Sequence, residues 1–116
     1  MSMNLLLKCN QVTETKAYYR DTLGFAVDDS AEGTCTVSMA GGNIIFSDGE
    51  NLGRSPSMSG TVYFFIADVD AYYASVNERV DVLWPLQNMS YGTREFGIAD
   101  INGYHLAFAQ DQELAN

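Results

Sequence analysis

Residues 91–108 read YGTREFGIADINGYHLAF, two apolar-leaning runs joined by Asp-Ile-Asn-Gly. Alternation along each run, with turn-forming residues between them, predicts a β-hairpin. Asp100 and Gly103 flank the turn, where an Asp side chain bonds local backbone amides and a Gly takes positive φ. Period-two counting then places Glu95 and Gly97 on one face of the first arm, with Arg94 and Phe96 on the other. On the second arm His105, the only histidine in the chain, shares a face with Ala107. Glu95 and His105 on adjacent strands can form a hydrogen-bonded pair, serve as acid and base, or hold a polar ligand group. They read equally well as a satisfied polar pair, or as two solvated side chains at an open rim.

Working back from the hairpin, residues 68–80 carry Val69, Tyr73, Val76 and Val80 at i, i+4, i+7 and i+11. That spacing predicts an amphipathic helix, with Asp68 or Asp70 as its N-cap. Fifty-seven positions earlier, Val12, Lys16, Tyr19 and Leu23 repeat the stripe, and Gly24 is placed to end the helix in a left-handed cap. Lys16 is the one departure. A strand-like run precedes each helix, at 5–9 and 61–67. Further runs follow, at 34–39 and 43–47 in the first half and at 80–83, 93–99 and 104–109 in the second. The order strand, helix, strands therefore occurs twice. Between the halves, GENLGRSPSMSG at 49–60 has no periodicity and reads as a linker or a lid.

The chain has 116 residues, enough for one domain by ordinary size priors. With 47 % hydrophobic residues and two prolines, its composition is that of an ordered globular protein. Its net charge of −9 opposes nucleic acid and anionic lipid, and leaves a neutral or cationic small molecule as the better partner. Acidic residues also serve plain solubility, and the runs Asp28-Asp29 and Asp48-Gly49-Glu50 read as solvated loop charge. Cys9 and Cys35 lack zinc-site spacing and read as buried reduced thiols. The three-leucine run near the start is far shorter than the apolar stretch a secretion signal needs, so a cytoplasmic, non-membrane protein is expected.

AYYRDTLGF at 17–25 resembles the helix-ending FYxxxLGF signature, and the opening stretch resembles the WGxREFxxxDPxGNxxxF signature, of the glyoxalase, bleomycin-resistance and extradiol dioxygenase (vicinal-oxygen-chelate) superfamily. Ile101 stands where that pattern has proline. The resemblance covers nearly the whole chain. It implies an α+β fold: two βαβββ modules, about 1–48 and 61–110, in one domain, forming a curved mixed sheet, or cup, with the helices outside. It also implies a homodimer.

In the metalloenzymes of that superfamily the metal ligands lie on the first and last strands of each module. Counting from the helix starts, and from the turns Gly42-Asn43 and Gly103-Tyr104, puts those positions at Asn4, Thr61, Phe46 and Ala107. A divalent catalytic metal needs about three nitrogen, oxygen or thiolate donors, which this set lacks. No metal and no cofactor are therefore expected. Thr61, Tyr63 and Phe65 alternate toward the inside of the cup, while Val62, Phe64 and Ile66 alternate toward the helix. Phe46, Tyr63, Phe65 and Trp84, with Glu95 and His105, form the expected ligand-binding set, although the aromatics can equally be core filling. The leading expectation is a metal-free binding protein resembling the bleomycin-resistance branch, its small cationic or aromatic ligand in an aromatic and acidic cavity. The alternative is a glyoxalase-like lyase or isomerase that uses His105 and Glu95 as an irregular metal site or an acid-base pair.

Overall fold

The computed structural model describes residues 4–49 and 55–112. Positions 50–54 of the expected linker or lid lie outside the described residues, as does Glu50 of the second acidic run. The chain divides into two compact units, Met1–Met58 with Ile101–Gly103, and Ser59–Asp100 with Tyr104–Asn116.

In the first unit, strand β1 (Leu5–Lys8) leads to helix α1 (Val12–Ala17), which continues as a π-helical turn over Tyr18–Thr22. Strands β2 (Ala26–Asp29), β3 (Thr34–Met39) and β4 (Gly42–Ser47) follow. They form a four-stranded mixed sheet in the order β1-β4-β3-β2, with β1 and β4 parallel and the other pairs antiparallel. The helical stripe is explained by what it covers. Tyr19 and Leu23 are fully buried, and the Tyr19 ring meets Phe25 at 5.0 Å and Phe46 at 5.2 Å between centroids. Gly24, at φ +78°, ends the helical segment in the left-handed conformation expected of it. Lys16 interrupts the stripe because its Nζ reaches Asp29 Oδ1 at 2.7 Å, and this contact holds the Asp29 carboxyl below its usual range.

In the second unit, β5 (Thr61–Phe65), α2 (Val69–Val76), β6 (Asp81–Asn88), β7 (Thr93–Ala99) and β8 (His105–Asp111) repeat the plan, in the order β5-β8-β7-β6 with β5 and β8 parallel. Asp68 is the N-cap of α2, accepting from the Ala71 amide at 3.1 Å. The helix covers an aromatic layer in which the Phe96 and Phe108 centroids lie 5.4 Å apart, Tyr72 sits 4.8 Å from Phe108, and Tyr73 sits 4.8 Å from Phe96. Full burial of each such ring contributes roughly 1.5–3 kcal/mol relative to leaving it exposed. Arg94 and Phe96 share a face as expected, and that face meets the helix, Arg94 Nη2 reaching Asp70 Oδ1 at 2.9 Å. The decisive hairpin forms as read: the Tyr104 amide donates to Asp100 Oδ1 at 2.8 Å, and Gly103 has φ +89°.

Several readings change. Asp28 and Asp29 are not loop charge but lie on β2, an edge strand absent from the expected runs. The run read at 80–83 does not stop before Trp84. β6 runs through Pro85 to Asn88, which is possible because β6 is an edge and its pairing shifts between Val82 and Gln87. Helix α2 stops at Val76, so Val80 lies beyond it. Both cysteines are free and fully buried, and burial pushes the Cys35 thiol up to about 11.

Candidate functional site

The face of the second sheet turned away from α2 carries the unusual chemistry. Pairing aligns Thr61 with His105, Tyr63 with Ala107, and Phe65 with Ala109. On the other side of β8, Ala99, Gly97, Glu95 and Thr93 stand opposite His105, Ala107, Ala109 and Asp111. Trp84 on β6 pairs with Gly97. Tyr63 and Phe65 are 42 % and 53 % exposed, and their rings stack with centroids 6.2 Å apart and planes inclined by 26°. Two large rings kept in the open beside small residues are a platform, since core filling would have buried them.

Glu95 organises the platform from beneath. It is fully buried, and three neutral groups donate to it: Thr93 Oγ1 at 2.7 Å to Oε1, then Tyr63 Oη at 3.0 Å and Trp84 Nε1 at 3.2 Å, both to Oε2. These bonds orient both aromatic rings, as satisfied buried networks do. The Tyr63 phenol is pushed well above its usual range, first by hydrogen bonding with Tyr91, then by burial and by the bond to Glu95. Gly97 is the residue whose role the sequence did not disclose. A Cβ there would overlap Cε2, Cζ2 and Cη2 of Trp84, so only glycine lets the indole lie against the sheet. Thr93 and Tyr91 were also missed, although alternation from Glu95 would have found Thr93.

Glu95 and His105 share the face but are not partners. Glu95 stands opposite Ala109, while His105 stands opposite Ala99, four residues further along. At about 3.3 Å per residue the two are roughly 13 Å apart along the strands. That separation is too long for a hydrogen bond or for one metal ion between them. The acid-base pair and irregular metal site expected of them therefore have no geometry here. The His105 side chain is exposed and, among the described residues, makes no hydrogen bond or ion pair.

Phe46 is a second correction. It is fully buried against Tyr19 on the helix side of the first sheet, so it belongs to the core. The physical reason is the hairpin before it. Ala40 and Gly41, at φ 52° and 83°, make a two-residue turn between Met39 and Gly42, whereas Ala99 and His105 close around a five-residue connection. Counting both last strands from a Gly-containing turn therefore slips by one. With Asn4 matched to Thr61, the β1–β4 and β5–β8 registers match Ile45 to Ala107 and Phe46 to the core residue Phe108.

No family model and no curated protein matches the chain. Solved structures do. A glyoxalase/bleomycin resistance protein/dioxygenase from Alicyclobacillus acidocaldarius aligns with TM-score 0.74 and 17 % identity, over 96 % of this chain and 91 % of that one. The bleomycin-binding protein of Streptomyces verticillus, solved with copper(II)-bleomycin, aligns with TM-score 0.68 and 18 % identity, over 93 % of each chain. The fold is that of the glyoxalase, bleomycin-resistance and dioxygenase superfamily. Lactoylglutathione lyase from Agrobacterium tumefaciens has it too, with TM-score 0.74 and 15 % identity over 100 % of this chain and 97 % of that one. Against the metal the superfamily implies for its metalloenzymes, the corrected set Asn4, Ile45, Thr61 and Ala107 supplies one amide and one hydroxyl. Those donors do not fit a divalent catalytic ion. Among the described residues, no three His, Cys, Asp or Glu group as a metal site.

Proposed function

We propose that this is a metal-free small-molecule-binding protein resembling the bleomycin-resistance branch, which receives a planar ligand on the open aromatic face of its second module. The observation that carries the reading is the exposed Tyr63–Phe65 stack next to Trp84, anchored from behind by buried Glu95. A flat ligand can add to such a stack without prior rearrangement, because the network through Glu95 already orders two of the rings. The fold shared with the Streptomyces verticillus bleomycin-binding protein supports it. Both modules then act as one domain of a cytoplasmic homodimer.

Trp84 is the only tryptophan, so its fluorescence reports the site directly. Titration with neutral tricyclic aromatics such as acridine should give saturable quenching at one ligand per chain. Tyr63→Ala and Phe65→Ala should each weaken binding by about tenfold, the equivalent of losing one ring contact. No quenching and no calorimetric heat across a panel of flat compounds would reject the reading.

A further inference from the structure

The donors beneath the platform are already engaged. Thr93 Oγ1, Tyr63 Oη and Trp84 Nε1 all point at Glu95, and the Gln87 amide donates to the Pro85 carbonyl. The described cations of the second unit other than His105 are Arg79 and Arg94, and both are occupied elsewhere: Arg79 on the Ser75 carbonyl, Arg94 on Asp70 and Asn88. The groups bonded to Glu95 are all neutral, so no cation is among its partners. Asp81 and Asp111 pair with Ala99 and Thr93 at opposite ends of the same face, and His105 stands opposite Ala99 at the Asp81 end.

We propose that Glu95 sets the charge preference of this face, by withholding its donors from ligands and backing its rings with a carboxylate, so that the ligand is a planar aromatic cation. This rests on the binding reading above. An anionic ligand arriving at the stack meets ring faces of negative quadrupole, a carboxylate behind them and no free donor at the centre, so its lost hydration is not replaced. A cation at the same place is attracted by the rings, which bind a charge within about 6 Å of a centroid. Glu95 thus acts as a positioning residue, shaping through Tyr63 and Trp84 what the surface will accept.

The test holds ring shape constant and varies charge: N-methylacridinium, neutral acridine and acridine-9-carboxylate, each titrated calorimetrically into the full chain at pH 7.5. The expected result is N-methylacridinium bound about tenfold more tightly than acridine-9-carboxylate, with acridine between them. Glu95→Gln, which replaces a carboxylate by an amide that itself donates, should reduce the preference to below about threefold. Tyr63→Phe leaves the ring in place and frees one acceptor site on Glu95, so it should keep or raise the preference even if Glu95→Gln fails to fold. A merely structural role for Glu95 would weaken all three ligands alike and leave their ratio unchanged. Equal binding of cation and anion by the natural chain, or loss of the preference in a well-folded Tyr63→Phe, would overturn the assignment while leaving the platform intact. Failure of all three ligands to bind would overturn the platform and this inference together.

Discussion

The two modules follow one plan and use their free faces differently. On the helix side they correspond closely: Phe46 and Phe108 occupy matching positions, both fully buried under their own helices. On the other side they diverge. Where the second module has Thr61, Tyr63, His105 and Ala107, the first has Asn4, Leu6, Asn43 and Ile45. The Asn43 amide oxygen there accepts from Ser38 Oγ at 2.6 Å, and Leu6 is 53 % exposed. Among the described residues, the first face has no aromatic ring and no buried carboxylate. Packing against a helix restricts one surface of each sheet, while the opposite surface is free to acquire chemistry, and here the second module acquired it.

Phe46→Ala gives the largest expected effect and bears directly on that correspondence. Both Phe46→Ala and Phe108→Ala should lower stability by about 3–5 kcal/mol in denaturant unfolding. A small loss for Phe46→Ala alone would mean that it faces a cavity, as the uncorrected register had it.

Gly97→Ala is next. Its Cβ collides with the Trp84 indole, so it should destabilise by about 1–3 kcal/mol and shift Trp84 emission to the red as the ring leaves the sheet. At the corresponding β3 position, Thr36, the first module carries a side chain of its own, and Thr36→Ala should stay within about 1 kcal/mol. Similar losses at both sites, with Trp84 emission unmoved, would dissolve the contrast between the two faces.

Tyr63→Phe probes the network through pH. The folded chain holds the Tyr63 proton more tightly than the ordinary phenol value of 10.0, so the stabilisation is complete below about pH 10 and declines as pH rises above it. The advantage of the natural protein over Tyr63→Phe in denaturant midpoint should therefore stay constant up to about pH 10 and shrink as pH rises above it, the difference isolating Tyr63 from the other titrating groups. A constant gap would show that the phenol proton is not held by Tyr91 and Glu95.

His105→Ala should have the smallest effect, within about 0.5 kcal/mol on stability, with acridine affinity unchanged. A tenfold loss of affinity would extend the platform to the far end of β8.

Duplication, the helical stripes as far as Val76, the N-cap at Asp68, the turn at Gly103 and the shared sheet face of Tyr63, Phe65, Glu95 and Gly97 were all legible, because each depends on a short period or a local backbone preference. Alternation tells which residues share a strand face, but not which residue of the neighbouring strand stands opposite. That is a matter of register, and register depends on how many residues each turn consumes. Hence Glu95 and His105 seemed to be partners until the β7–β8 pairing set them four residues apart, and Phe46 seemed to face a cavity until the two-residue turn at Ala40-Gly41 moved it into the core. Edge strands were hard to read for a related reason: β2 and β6 carry Asp and Pro, which local propensity assigns to loops, and only pairing to a neighbour makes them strands.

By itself the sequence determined the two-module plan, its helix-facing cores and its acidic balance, all set by composition and by periods of 2 and 3.6 residues. Only the tertiary structure decided that Glu95 gathers Thr93, Tyr63 and Trp84, and that Gly97 makes room for the indole. Those contacts join β5, β6 and β7, and contacts between strands are fixed by pairing and packing rather than by any local pattern.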